Sequence, residues 1–343
     1  MNEADVPAPF VPAPFVPEAT GPASSGTKTI GQILDRICRL VRCHFELLVG
    51  IAAIPVGALF LLAGLMLAVM AAPVIRQWPK DLSREVMDSY FRGVVSPAFL
   101  VFCLLYIAIF SFYLAAASYA SIQADLGVRV TLREAFGLAW RRRGRYLWLL
   151  VLMHLCAFLP LIATYAAILP GAGALISRAM AAAPAFLSFA PLQVLFGIAI
   201  LVYAMLAMLM LSLAFPACVA EELTATAAIK RSFQLSRGAM GRIFLVVLVV
   251  DIILYAAYVA LLMVSFLLFG ACTFAIGALH LHLARAVGSI LVSVFFLCAV
   301  AVMFLYTALR RAALTTALAV LYHDQRLRKD GPPSVTPQAE EAA

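Results

Sequence analysis

Charge is what this chain has least of. Asp, Glu, Lys and Arg make up only 12% of its 343 residues, about half the share of a soluble globular chain. Lysine is nearly absent, with four against 21 arginines, a bias that fits a GC-rich bacterial source. There is no CxxC, no HExxH, no Ser/Lys dyad and no pair of neighbouring span carboxylates, which argues against an enzyme, and no cofactor is expected. Seven cysteines make no disulfide framework. Cys38, Cys43 and Cys218 border basic loops, Cys103, Cys156 and Cys298 fall in apolar runs, and Cys272 stands alone on the other side.

What is present is apolar. Hydrophobic residues reach 65% and mean hydropathy is +1.02, more apolar surface than a soluble fold can bury. Crossing a bilayer core takes about 20 consecutive apolar residues in a helix. Six segments qualify: Leu47–Ile75, Pro97–Ile122, Tyr146–Leu169, Leu192–Pro216, Ile243–Phe269 and Val287–Leu309. Ten-residue alternating strands of an outer-membrane barrel are absent. The first run, 29 residues from Leu47, is too long for a signal-peptide core and reads as an uncleaved span. The expected fold is an all-α, polytopic bundle of six transmembrane helices.

The scarce cations orient it. With the N-terminus inside, the inner segments hold 19 Lys and Arg and the outer ones six. The positive-inside rule then places both termini in the cytoplasm, across a bacterial inner membrane. The net charge of +8 is explained by those loops, so nucleic acid is not an expected partner. The outer loop between the first two spans, with Arg76, Lys80, Arg84 and Arg92 beside Asp81, Glu85 and Asp88, is expected to form a short surface helix.

The chain divides into a Pro-rich tail (1–28), a membrane domain (29–329) and a second tail (330–343). Tandem Val6-Pro-Ala-Pro-Phe10 and Val11-Pro-Ala-Pro-Phe15 read as a disordered or polyproline-like spacer. Within the membrane domain a threefold pattern emerges. A basic amphipathic helix opening at Thr29, with Ile30, Ile33, Leu34, Ile37, Leu40 and Val41 on one face, precedes the first span. A second opens at Thr131 before the third span, aligning Ala135/Phe136 with Ile33/Leu34 and Ala139/Trp140 with Ile37/Cys38. A third opens at Thr224 before the fifth. Each unit reads as a capped helix followed by a membrane hairpin. Their apolar faces enter the acyl boundary or pack under the bundle, and their cations meet anionic headgroups. The candidate headgroup contacts are Arg36, Arg39, Arg42, Arg141, Arg142, Arg143, Arg145, Lys230 and Arg231. Membrane lipids are thus the expected partners, with a protein partner or a second copy also open.

Thr29-Ile-Gly-Gln-Ile-Leu-Asp-Arg36, leading into a span bearing Pro55, resembles the start of a bacterial membrane-domain family. It includes the membrane domain in front of some glycerophosphodiester phosphodiesterases, and six-span proteins of unknown function. Pro216-Ala-Cys-Val-Ala-Glu-Glu222, Ala228-Ile-Lys-Arg-Ser-Phe-Gln-Leu-Ser-Arg-Gly238 and Leu321-Tyr-His-Asp-Gln-Arg-Leu-Arg-Lys-Asp-Gly331 are similar to its later segments. The resemblance covers residues 29–331 and implies the six-span fold. It implies no catalysis, because that family's phosphodiesterase activity belongs to a separate soluble barrel.

Two ionisable groups stand inside apolar runs, His154 and Asp251, each eight residues after its span begins. That is about 12 Å into the membrane at 1.5 Å per residue. Equal depth makes a His154–Asp251 pair across the bundle a candidate, either as a structural lock or as a proton or solute site. Tyr255 and Tyr258 are the other groups placed to satisfy Asp251. His280 and His282 form an HxH without a third ligand, so no metal is expected. Pro55, Pro160, Pro191 and Pro216 are expected to kink or end helices. The leading function from sequence is a non-enzymatic scaffold, envelope or lipid-associated factor. The alternative is a transporter or channel component that uses His154 and Asp251.

Overall fold

The computed structural model describes residues 29–77, 97–160, 163, 183–278 and 284–331. The VPAPF repeat, most of the charged loop 76–96, the HxH pair and the chain after Gly331 lie outside the described residues.

Every regular element among the described residues is helical: α1 (Ile30–Cys43), α2 (Phe45–Gln77), α3 (Pro97–Asp125) and α4 (Leu132–Arg141). They are followed by α5 (143–160), α6 (Ala183–Leu211), α7 (Ala214–Ala220), α8 (Ala225–Ser236), α9 (Met240–Ala278) and α10 (Ala284–Asp330). Five helices are long and apolar enough to cross a membrane: Phe45–Ala68, Phe99–Asp125, Val194–Ala220, Met240–Ala275 and Ile290–Asp330. The expected third span, Tyr146–Leu169, is helical through residue 160, and most of its remainder lies outside the described residues.

The short helices start where their caps dictate. Thr29 Oγ1 accepts the Gln32 backbone N–H at 3.4 Å, and Gln32 Oε1 accepts that of Thr29 at 3.0 Å. Thr131 and Glu134 repeat this box at 3.3 and 2.8 Å, so each pair satisfies two otherwise unpaired donors. Thr224 holds the same position before α8 but makes no side-chain cap bond. Between α3 and α4 the chain turns on Gly127, at φ +76°. The Val128 N–H reaches the Gln123 carbonyl at 2.9 Å, the Schellman closure that a left-handed glycine allows.

One face of each short helix is buried: Ile33 and Ile37 of α1, Ala135 and Ala139 of α4, and Ala225, Ala228 and Leu235 of α8. These faces pack under the bundle rather than into an acyl boundary. α1 rests on the last turns of α10, where Ile33 and Ile37 cluster with Ala317, Val320, Leu321 and Tyr322. Small residues let the long helices approach closely. Ala115, Ala116, Ala117 and Ala120 of α3 meet Ala308 and Ala312 of α10 and Leu48, Ile51 and Ala52 of α2. A buried Ser121–Thr316 hydroxyl contact of 3.3 Å ties α3 to α10.

Among the described residues this packing lies at one end, called basal here, where α1, α4, α7, α8 and the last turns of α10 meet. Toward the other end the same long helices present bare apolar side chains, with Leu61 78% exposed, Leu267 70% and Phe274 80%. Surface of that kind is stable against acyl chains, not water.

Two of the expected spans differ in extent from the helices that form. The last apolar run ends at Leu309, yet α10 continues unbroken to Asp330. Arg310 and Arg311 interrupt hydropathy but not helix. Beyond them Ala312, Ala313, Thr315, Thr316, Ala317, Ala319, Val320, Leu321, Tyr322 and Asp324 all lie buried, so the helix is covered on every side, as one in the middle of the basal core must be. Residues 310–329 are therefore the central rod of that core. The expected fourth span, Leu192–Pro216, overlaps the spanning stretch Val194–Ala220, and the helix breaks beside Pro216 as its proline leads one to expect. α6 stops at Leu211 and α7 starts at Ala214, with Pro216 in the first turn of α7, where its missing N–H goes unused. Pro55, by contrast, sits inside the continuous α2.

Candidate functional site

Asp251 and His154 are not brought together. Arg310 grips Asp251 in a fork, Nε to Oδ1 at 2.7 Å and Nη2 to Oδ2 at 2.8 Å. This bidentate geometry is the strongest ion pairing side chains make. The pair joins α9 to α10 and satisfies both carboxylate oxygens, so neither tyrosine is needed. Tyr258 stacks on Tyr306 instead, with ring centroids 4.4 Å apart. Sequence reading missed Arg310 because it closes an apolar run and counts as a flanking loop residue. A basic residue that begins the continuing apolar stretch of α10 was the available signal.

His154 has a different environment. Its Nδ1 lies 2.9 Å from the Leu150 carbonyl one turn back, and its ring stacks on Phe158 at 5.9 Å. It lines a cavity of about 260 Å³ bounded by α3, α5, the α6–α7 bend and α10. The walls are largely apolar, with Phe110, Leu114, Leu150, Met153 and Phe215 among them. Polar groups converge from several sides: His154, Ser118, Ser212, Thr315 and Arg311. Ser212 Oγ donates to the Leu209 carbonyl at 2.7 Å, and Thr315 Oγ1 to the Arg311 carbonyl at 2.9 Å.

Among the described residues that line it, Arg311 alone carries a fixed charge. Its guanidinium carbon sits 4.6 Å from the centre of the Phe110 ring, and it makes no ion pair with the described residues. A cation over a benzene face gains roughly 0.5–2 kcal/mol, a small return for a charge held among apolar side chains. Phe110 in turn lies 5.9 Å from the buried ring of Tyr113.

The basal end carries most of the candidate headgroup cations, and the structure divides them. Arg36 is pinned to Asp125 at 2.6 Å. Arg142 pairs with Glu222 at 2.8 Å, which raises the pKa of its guanidinium and keeps it charged. Arg145 donates to the Glu222 carbonyl at 2.8 Å. That residue is held at φ +53°, so both arginines brace a left-handed bend between α7 and α8. Arg231 pairs with Glu221 and with Asp330. These four are internal fasteners. Arg39 meets Asp35 at 3.0 Å in a pair exposed on both sides. Arg42, Arg141, Arg143 and Lys230 are exposed and pair with no carboxylate among the described residues. Arg143 covers the 61%-exposed ring of Trp140.

The carboxylate hubs were also missed. Glu221 accepts from the Tyr322 hydroxyl at 2.7 Å and from Arg231 at 3.2 Å, with Arg326 at 3.8 Å. Asp324, nearly buried, holds Arg242 at 3.1 Å and Arg328 at 2.9 Å. Tyr322 and Asp324 stand two positions apart, on opposite sides of α10, and both are buried because the helix is surrounded there, which local spacing does not encode.

Apolar helices of spanning length, a lipid-type outer surface and a salt-bridged base define a multi-helix integral membrane protein. Compared with family models, curated proteins and solved structures, the chain matches none.

Proposed function

We propose that this protein is a non-enzymatic factor of a bacterial inner membrane that gathers anionic lipid through its basal face. In this reading the base is cytoplasmic, both termini lie there, and three units of amphipathic helix plus hairpin make a six-span bundle. Kinship with the membrane domain that precedes some phosphodiesterases belongs to the same proposal. The matching N-cap positions of Thr29, Thr131 and Thr224 support the threefold plan.

The observation that carries the proposal is the patch at the end of α4. Arg141 and Arg143 are exposed beside an exposed Trp140, the pairing of cation and amphipathic ring favoured at a headgroup layer. Each cation near an anionic surface contributes about 1 kcal/mol. The test is native mass spectrometry of protein taken from bilayers mixing phosphatidylglycerol with phosphatidylcholine. Wild-type protein should retain phosphatidylglycerol preferentially. A variant combining Arg42→Gln, Arg141→Gln, Arg143→Gln and Lys230→Gln should lose that preference. Equal enrichment in both would overturn the proposal.

The alternative, a carrier of small or amphiphilic solutes through His154 and Asp251, draws support from the cavity at His154. It requires a path that also reaches Asp251, which is absent from the cavity lining and whose oxygens are held by Arg310.

A further inference from the structure

Arg310 and Arg311 are neighbours on one helix, yet only one has a counter-charge among the described residues. Arg310 holds Asp251 by both oxygens. Arg311 faces a cavity of about 260 Å³ whose described lining includes no carboxylate, with the Phe110 ring as its cationic contact. We propose that this cavity binds the anionic head of a single-headed amphiphile, a carboxylate or phosphate on an acyl chain, with Arg311 supplying the charge. The site is separate from the basal patch and does not rest on it.

The surroundings fit such a ligand on three counts. First, a guanidinium presents a planar fork of donors that matches a carboxylate or phosphate. Second, the Ser118 hydroxyl lines the same space and can donate to a remaining oxygen. Third, the walls are otherwise apolar, and the volume is about that of nine waters, enough for a head and its first carbons. The tail has a natural course. His154 and Met208 are only partly covered, and their helices carry exposed Leu155, Phe158, Met205 and Leu206 alongside. A free inorganic anion would have to cross that apolar surface, whereas an amphiphile already resides in it. That difference favours the amphiphile as the source of the oxyanion.

The full-length protein, purified in a neutral maltoside detergent, would be titrated with radiolabelled oleate, dioleoyl phosphatidate and inorganic phosphate. Saturable binding of oleate or phosphatidate is expected, with inorganic phosphate failing to compete. Which of the two binds tighter assigns the head as carboxylate or phosphate. Arg311→Gln should weaken binding about tenfold or more, the loss expected for a charge-assisted hydrogen bond, and Arg311→Lys should recover part of it. Leu114→Trp, which fills the cavity while keeping the cation, should also abolish binding. Helical content and monodispersity are checked for each variant, and Arg311→Lys with Leu114→Trp carry the test if Arg311→Gln does not fold. The combined basal variant should bind like wild type. Unchanged affinity in well-folded Arg311→Gln or Leu114→Trp would overturn the proposal, as would inorganic phosphate binding as tightly as the amphiphiles.

Discussion

At the scale of single residues, scarce charge makes each ionisable side chain legible as a choice. Asp251 and Arg310 show how an apolar bundle tolerates two charges: both are placed together, and in fork geometry, so that neither is left facing hydrocarbon alone. Removing one partner is therefore worse than removing both. Asp251→Asn or Arg310→Gln alone should each destabilise by roughly 2 kcal/mol, below the about 3–5 of a fully buried pair, because each side chain is about a third exposed. The double variant should cost clearly less than the sum, with a coupling of about 1–3 kcal/mol in thermal melts of the purified protein. Additive losses would show that the pair is not coupled. His154 makes the contrast. Asp251, the partner expected from equal depth, is held by Arg310, and the His154 Nδ1 meets a carbonyl of its own helix. His154→Ala should therefore leave stability within about 1 kcal/mol of wild type in the same melts.

At the scale of elements, hydropathy located the long helices well and their ends poorly. Leu47–Ile75 and Pro97–Ile122 differ by two or three residues from α2 and α3, because Phe45, Gln77 and Asp125 merely extend an apolar rod by part of a turn. The failure at α10 has a physical cause. Transfer free energy ends where Arg310 begins, but a helix ends only where backbone bonds or packing fail, and neither does before Asp330. The ion pairs were illegible for a related reason. Arg36–Asp125, Arg142–Glu222 and Arg231–Asp330 join residues far apart in sequence, and no local spacing encodes them. The caps, being local, were legible at Thr29 and Thr131. Thr29→Ala and Thr131→Ala should each cost about 1 kcal/mol, the usual worth of an N-cap hydroxyl. Thr224→Ala should cost a few tenths, since that hydroxyl caps nothing and only local propensity changes. Amide exchange in the first turns of α1, α4 and α8 reads all three. Equal deprotection in the three helices would contradict the cap assignment.

At the scale of the whole molecule, the described residues are asymmetric along the bundle axis, tight and salt-bridged at the base and with exposed apolar side chains away from it. Its longest rods exceed a membrane's needs. The 39 residues of α9 extend about 58 Å as helix, against a hydrocarbon core of about 30 Å. Anchoring the core's inner edge near Ile243 leaves Asp251 in its inner half, beside the charged base, and sets the end of α9 outside. Cys272, exposed near that end, lies about 44 Å along the helix from Ile243. A tilt of about 30° shortens this to about 38 Å, still beyond the core. Cys43, also exposed, closes α1, whose buried face rests on the basal turns of α10. These two thiols therefore report opposite sides of the bilayer if the base faces the cytoplasm. In intact cells producing a chain whose only cysteine is Cys272, a membrane-impermeant maleimide should label the protein. A chain retaining only Cys43 should react after permeabilisation alone. The reverse pattern would invert the orientation and move the basal cations off the leaflet whose negative potential attracts them. Labelling of both from outside would mean that α9 does not cross, and would remove the spanning bundle itself.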